Sequence, residues 1–255
     1  MKLATLSALI LAAVVNAGCV TEGAVRSQPA SDEEQSQVNL ALGASYLREG
    51  RADLAVDPLL RAVDAEPRSA EAHSVLAIAY DQTGSANLAE EHHRRAAQLA
   101  PRSADIQNRF AVFLCRQNRW TEAAPSFRRA IDASERPASV PTIINAASCA
   151  RGAGDLEAAE SYFREALDVD ARNADALRGM VEISIRQTDY IQGRAFWQRL
   201  EATIPLRAED LLSCYIIETE MNSTAAAEAC AERMPEEFPG SPVLPQLRRL
   251  QANGN

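Results

Sequence analysis

The sequence predicts an all-α superhelical solenoid of about six helix–turn–helix units closed by a C-terminal capping helix. Three observations point there. A pattern of small, aromatic and turn-forming residues recurs every 34 residues from about Ser36. Only 5% of residues are aromatic while alanine is abundant, which suits helices packed backbone to backbone. Glycine or asparagine falls between paired helical stretches at the same repeat interval.

The first unit carries Leu42-Gly43, Tyr46, Gly50, Ala55, Leu59, Ala62 and Pro67. Thirty-four residues on, the second carries Leu76-Ala77, Tyr80, Gly84, Ala89, His93, Ala96 and Pro101. The third has Phe110-Ala111, Leu114, Asn118, Ala123, Phe127 and Ala130. A two-residue slip near Pro137–Ser139 precedes the fourth, with Ala146-Ala147, Ala150, Gly154, Ala159, Phe163 and Ala166. The pattern thins in the fifth (Met180-Val181, Thr188, Gly193, Trp197, Leu200, Pro205) and sixth (Cys214-Tyr215, Asn222, Ala227, Pro239). The apolar stretch Val243 to Leu250 is the expected cap. Small residues let paired helices approach closely, and Gly50, Gly84 and Gly154 supply positive φ where a first helix ends. A single hairpin cannot bury its apolar face, so neighbours must stack. The pattern resembles the tetratricopeptide repeat (TPR), which implies a TPR superhelical solenoid.

The N-terminus reads as an export signal. Met1-Lys2 carries one positive charge, Leu3 to Val15 is almost wholly apolar, and Asn16-Ala17-Gly18-Cys19 closes the segment. A run of this length is too short to span a bilayer of ~30 Å as a helix. Ala17-Gly18-Cys19 resembles the end of a bacterial lipobox, which implies lipidation of Cys19; Asn16 stands where leucine is usual. The competing reading is cleavage after Val15-Asn16-Ala17 by an ordinary signal peptidase, giving a free periplasmic protein. Val20 follows Cys19 where an aspartate would imply retention in the inner membrane, so the resemblance implies the periplasmic face of the outer membrane. The expected organisation is a signal peptide over 1–18, a lipidated Cys19 with a flexible tether over 19–36, a repeat domain over 37–240 and a cap or tail over 241–255. Asp32-Glu33-Glu34 is read as a solvated charge run within that tether.

Five cysteines are present; with Cys19 as an anchor, four remain, an even number for an oxidising compartment. Cys115 and Cys149 fall near the ends of first helices in adjacent units, which run side by side, so a bridge between them is geometrically reasonable. Cys214 and Cys230 lie on the two helices of unit six and would staple it. The alternative is four buried free thiols.

Lys and Arg total 26 against 35 Asp and Glu, a net charge of −9 without a basic cluster, which disfavours nucleic acid as a partner. HExxH, GxSxG and GxxxxGK[ST] motifs are absent, and Gly152-Ala153-Gly154-Asp155 lies between two helices with no strand before it. His92 and His93 are adjacent and therefore face different sides of one helix, unlike a metal-binding i, i+4 pair. His93 stands where the repeat usually has an aromatic, so packing or surface exposure is its expected role. An enzyme, a metal site, a cofactor and a small-molecule substrate are therefore not expected.

The inward positions of the first helices would form a partner-binding groove: Leu40, Ala44 and Leu47 in unit one and Ile78 in unit two. They predict an apolar slot for a strand or helix of another protein. The alternative is that they pack against the tether or the N-terminal edge of the stack. Clamping a peptide carboxylate needs Lys and Asn where Leu40 and Ala44 stand.

A lipobox-like signal, six such units, Phe113-Leu114-Cys115 and a second cysteine 34 residues on together resemble the type IV pilus biogenesis/stability lipoproteins, the PilW/PilF pilotin family. The resemblance runs from Cys19 to about Pro239 and is loosest in units five and six. It implies an outer-membrane lipoprotein whose partner is the type IV pilus secretin, bound near the first repeats, and whose membrane contact is its N-terminal lipid anchor. The rival reading is a general periplasmic TPR adaptor for another envelope assembly machine.

Overall fold

A computed structural model describes residues 31–134 and 139–253. The signal segment and Cys19 lie outside the described residues. Among these, thirteen α-helices form six hairpins and a cap. They are α1 (Asp32–Arg48) with α2 (Ala52–Ala65), α3 (Ala70–Gln82) with α4 (Ala86–Leu99), and α5 (Ala104–Arg116) with α6 (Trp120–Ala133). Then come α7 (Val140–Gly152) with α8 (Leu156–Val169), α9 (Ala174–Arg186) with α10 (Tyr190–Glu201), α11 (Ala208–Glu220) with α12 (Thr224–Glu237), and finally α13 (Leu244–Asn253).

Local chemistry sets the hairpin ends. First helices open on short polar caps: the side chains of Ser31, Ser69, Ser103 and Asn173 each accept a backbone N–H three residues on. Every turn within a hairpin places one residue at positive φ: Gly50, Gly84, Asn118, Gly154, Thr188 and Asn222. The next N–H then reaches back to the first helix, as from Arg51 to the Tyr46 carbonyl at 2.9 Å and from Ser223 to the Glu218 carbonyl at 2.8 Å.

Close approach then builds the core. The alanines Ala55, Ala89, Ala123 and Ala159 are wholly buried at the crossing of each pair. Gly43 lies under Leu59, so that a Cβ there would fall 2.4 Å from Leu59 Cγ. In the fifth unit the close approach has moved to Gly179, which packs against the Phe163 ring of the preceding unit, while bulky Val181 occupies the usual small-residue position. Each second helix packs on the next first helix, and all successive first helices touch one another. Successive second helices make at most marginal contact. An array packed more closely along one side curves toward it, which puts the first helices on the inner wall.

The tether boundary is corrected at its C-terminal end. Asp32, Glu33 and Glu34 form the first turn of α1, capped by Ser31, rather than a solvated coil. Their charges sit at the positive end of the helix dipole. Ser36 is buried and its hydroxyl donates to the Ala62 carbonyl at 3.0 Å, so the repeat domain starts before residue 37. At the other end, Val243 and Leu247 are buried as α13 packs on α12.

Candidate partner-binding face

Leu40, Ala44 and Leu47 project from one face of α1 and are half-buried. They pack against a small apolar cluster of Ala55, Leu59, Val75, Leu76 and Ala79, supplied by α2 and α3. Ile78 is half-buried on α3. Leu40, Ala44 and Leu47 thus wall the N-terminal core with part of their surface, rather than lining a fully open slot.

The more exposed apolar surface of α1 lies on its opposite face. Val38 is 64% exposed and Leu42 42%. Their register equivalents one and two units on are Ala72 (0%) and Ile106 (5%), and Leu76 (0%) and Phe110 (8%). In every later unit this edge is covered by the preceding hairpin. In unit one no hairpin of the described residues precedes it, so among those residues an edge shaped to stack against a helix has no cover. The sequence signal for this edge was present in the 34-residue register, but the inward positions drew the prediction instead.

Both expected cysteine pairs meet. Cys115 of α5 is bonded to Cys149 of α7, with Cα atoms 5.7 Å apart, and Cys214 of α11 to Cys230 of α12, at 6.1 Å. Arginine–carboxylate pairs link neighbouring units from the second to the sixth: Arg109–Glu71, Arg116–Asp81, Arg119–Glu90, Arg151–Glu182, Arg178–Asp210 and Arg233–Glu201. The contact between units one and two is made by the apolar cluster above.

Two of the three histidines are brought together in unit two. His73 Nδ1 of α3 lies 2.8 Å from His92 Nδ1 of α4, and His73 Nε2 lies 3.2 Å from the Pro67 carbonyl. The Tyr80 ring stacks on His92 with centroids 5.6 Å apart. Burial lowers the pKa of both His73 and His92. A surface cavity of about 560 Å³, lined in part by His73, Glu91, His92 and Arg95, gives the pair access to water. His93 faces the other way, buried against Phe110 and Phe113, and burial pushes its pKa down to about 4. This is the aromatic position of the repeat, as expected, filled by an imidazole kept neutral. The pairing of His73 with His92 was missed because their 19-residue separation matches no helical spacing; it follows only once α3 and α4 are laid side by side.

Among the described residues no group of three or more His, Cys, Asp and Glu side chains could hold a metal ion, and no helix is long and apolar enough to cross a membrane. The face is built of helix edges, and the chemistry it offers is apolar contact with another polypeptide.

Stacked hairpins with recurrent positive-φ turns and buried alanines define a TPR solenoid. Family models described as tetratricopeptide repeat match residues 40–104 and 102–172. The fold is that of PilW, described as a widely conserved type IV pilus biogenesis factor, with a TM-score of 0.70 and 23% identity over 83% of this chain and 97% of that one. It is equally that of PilF from Pseudomonas aeruginosa, with a TM-score of 0.71 and 22% identity over 88% of this chain and 100% of that one. YrrB, described as a TPR protein with an unusual peptide-binding site, is more distant: TM-score 0.58 and 15% identity over 69% of this chain and 89% of that one. A search of curated proteins found no significant match.

Proposed function

We propose that this chain is an outer-membrane lipoprotein of type IV pilus biogenesis, a pilotin-like scaffold. It holds a secretin subunit against its first repeat and so localises secretin assembly at the outer membrane. The observation that carries the reading is the open apolar edge of α1, Val38 and Leu42, on the repeat next to the proposed anchor at Cys19. The match in fold to PilW and PilF along nearly the whole length of those chains supports it. In this role the chain is a binding scaffold, not an enzyme.

The half-buried face of Leu40, Ala44, Leu47 and Ile78 would border the bound segment. Leu40→Glu or Leu47→Glu would press a carboxylate into the N-terminal core, so loss of function there could reflect unfolding of unit one. Val38→Glu/Leu42→Glu changes exposed residues instead and is the better test. The double variant should keep its helical circular dichroism and thermal midpoint, yet lose secretin multimers from outer-membrane fractions. Normal multimers in that variant would remove the claim. A Cys19→Ser variant should shift the protein to the soluble periplasmic fraction. Loss of a different envelope complex on deletion, with pili intact, would favour the general adaptor reading.

A further inference from the structure

The apolar interior divides into two clusters that share Tyr80 of α3. Ala55, Leu59, Val75, Leu76 and Ala79 form a cluster from α2 and α3. A second, larger cluster begins with Ala89 of α4 and Phe110 of α5 and runs to Leu247. All three histidines of the chain lie at the junction: His73 on α3, His92 and His93 on α4. From α5, α3 is also held by polar contacts. Arg109 of α5 donates to Glu71 and to Ser74 Oγ, and Arg116 pairs with Asp81. Both disulfides lie on the C-terminal side.

The geometry of the pair fixes its protons. The Pro67 carbonyl only accepts, so His73 Nε2 carries hydrogen. In a neutral ring His73 Nδ1 must then accept, and the hydrogen between the rings belongs to His92 Nδ1. One added proton is tolerated: taken up at His92 Nε2, it leaves the Nδ1–H donating to His73 Nδ1. A second would set two N–H groups and two positive charges against each other at a contact 2.8 Å long. The surrounding charges do not offset this. Glu91 on α4 favours protonation while Arg95 on the same helix opposes it. From α3, Tyr80 stacks on His92, and Asp57 of α2 acts on Tyr80. On the α5 side, Arg109 is committed to Glu71 and Ser74 and opposes charge on His93. Among the described residues no carboxylate is hydrogen-bonded to either ring of the pair.

We propose that the junction of α3 with α4 is an acid-sensitive hinge, in which double protonation of His73 and His92 parts α1–α3 from the disulfide-braced remainder of the solenoid. The apolar edge of α1 travels with the part that opens. The hinge stands without the partner reading; only its effect on partner binding rests on it.

Hydrogen exchange on the full mature chain, disulfides intact, tests this at pH 7.5 and pH 5.0 after correction for intrinsic rates. Protection in α1–α3 should fall at least tenfold at the lower pH, while α7–α12 stay within twofold. In His92→Gln the amide can donate to or accept from His73 Nδ1, so the fall in α1–α3 should shrink to within twofold. A uniform loss along the chain, or an undiminished fall in His92→Gln, would overturn the hinge. If that variant loses its fold at pH 7.5, the ring resonances of the wild-type histidines decide. Independent titration of His73 and His92 at the ordinary histidine value sinks the proposal; depressed, mutually dependent titration supports it.

Discussion

Arg178 of the fifth repeat holds Asp210 of the sixth through contacts of 2.9, 3.1 and 3.0 Å. Asp210 is buried, and its carboxylate also accepts the Arg207 N–H at 2.9 Å, while its backbone carbonyl accepts from the Trp197 indole at 2.8 Å. One residue thus caps α11, pairs with the preceding first helix and anchors an aromatic of α10. Asp210→Ala leaves the mostly buried Arg178 guanidinium unpaired and should cost about 3 kcal/mol. Because repeat stability is nearest-neighbour, the loss should be local. Hydrogen exchange should rise in α11 and α12 and stay unchanged in α1–α4. Global unfolding with no local opening would contradict this.

The two disulfides act at different places. Cys115–Cys149 joins first helices of units three and four, whereas Cys214–Cys230 closes a hairpin within unit six. Loop closure over 34 and 16 residues implies about 3–4 and 3 kcal/mol respectively, from the entropy removed from the unfolded chain. Cys115→Ser/Cys149→Ser should therefore lower the stability of the whole stack. Cys214→Ser/Cys230→Ser should mainly fray the C-terminal hairpin. Urea titration read by the fluorescence of Trp120 and Trp197, with exchange by segment, separates the two; identical patterns would refute the assignment.

The hairpins were legible because each demand is local and recurs at one interval. Positive φ at 50, 84, 118, 154, 188 and 222 is met by residues that the 34-residue register picks out. Cysteine pairing was legible for the same reason, since register translates directly into side-by-side helices. What was not legible depends on neighbours. Asp32 to Glu34 carry no apolar period, and only Ser31 as a cap and the Ser36 hydrogen bond to Ala62 show that they are helical. The open edge at Val38 and Leu42 follows from what does not cover it, and composition is silent on that. Arg178–Asp210 and His73–His92 connect residues on different helices whose separations, 32 and 19, carry no signature of contact.

Thr188 is the one β-branched residue among the six positive-φ turn positions, at φ 59° where three others are glycine. Its Cβ crowds the backbone in the left-handed region, at a cost of roughly 1–2 kcal/mol. Its hydroxyl reaches its neighbour, the Gln187 carbonyl, at 2.7 Å, which offsets part of this. Thr188→Gly should raise stability by about 1 kcal/mol, less what glycine gains in the unfolded chain. Thr188→Asn should give a similar rise without that entropy loss. Equilibrium unfolding of both variants checks the sign, and destabilisation of both would show that the turn is held by something other than backbone conformation.

His93 links the core to pH. Phe127 and Phe163, its equivalents in the next two repeats, are fully buried hydrocarbons, whereas His93 brings an imidazole to the same depth. Burial holds its folded pKa near 4 against about 6.5 in the unfolded chain. The unfolded state therefore binds the extra proton first. This contribution to stability is complete above pH 6.5 and drains as pH falls toward 4, amounting to about 3 kcal/mol across that window. His93→Phe removes the proton-binding group and keeps an aromatic against Phe110 and Phe113. At pH 7.5 its stability should match wild type within about 1.5 kcal/mol, as for a near volume-conserving core exchange. By pH 4.5 it should exceed wild type by about 2 kcal/mol, since most of the window has then been crossed. Denaturant midpoints at the two pH values give the comparison. Parallel losses in variant and wild type would mean that His93 is already solvated or charged in the folded state.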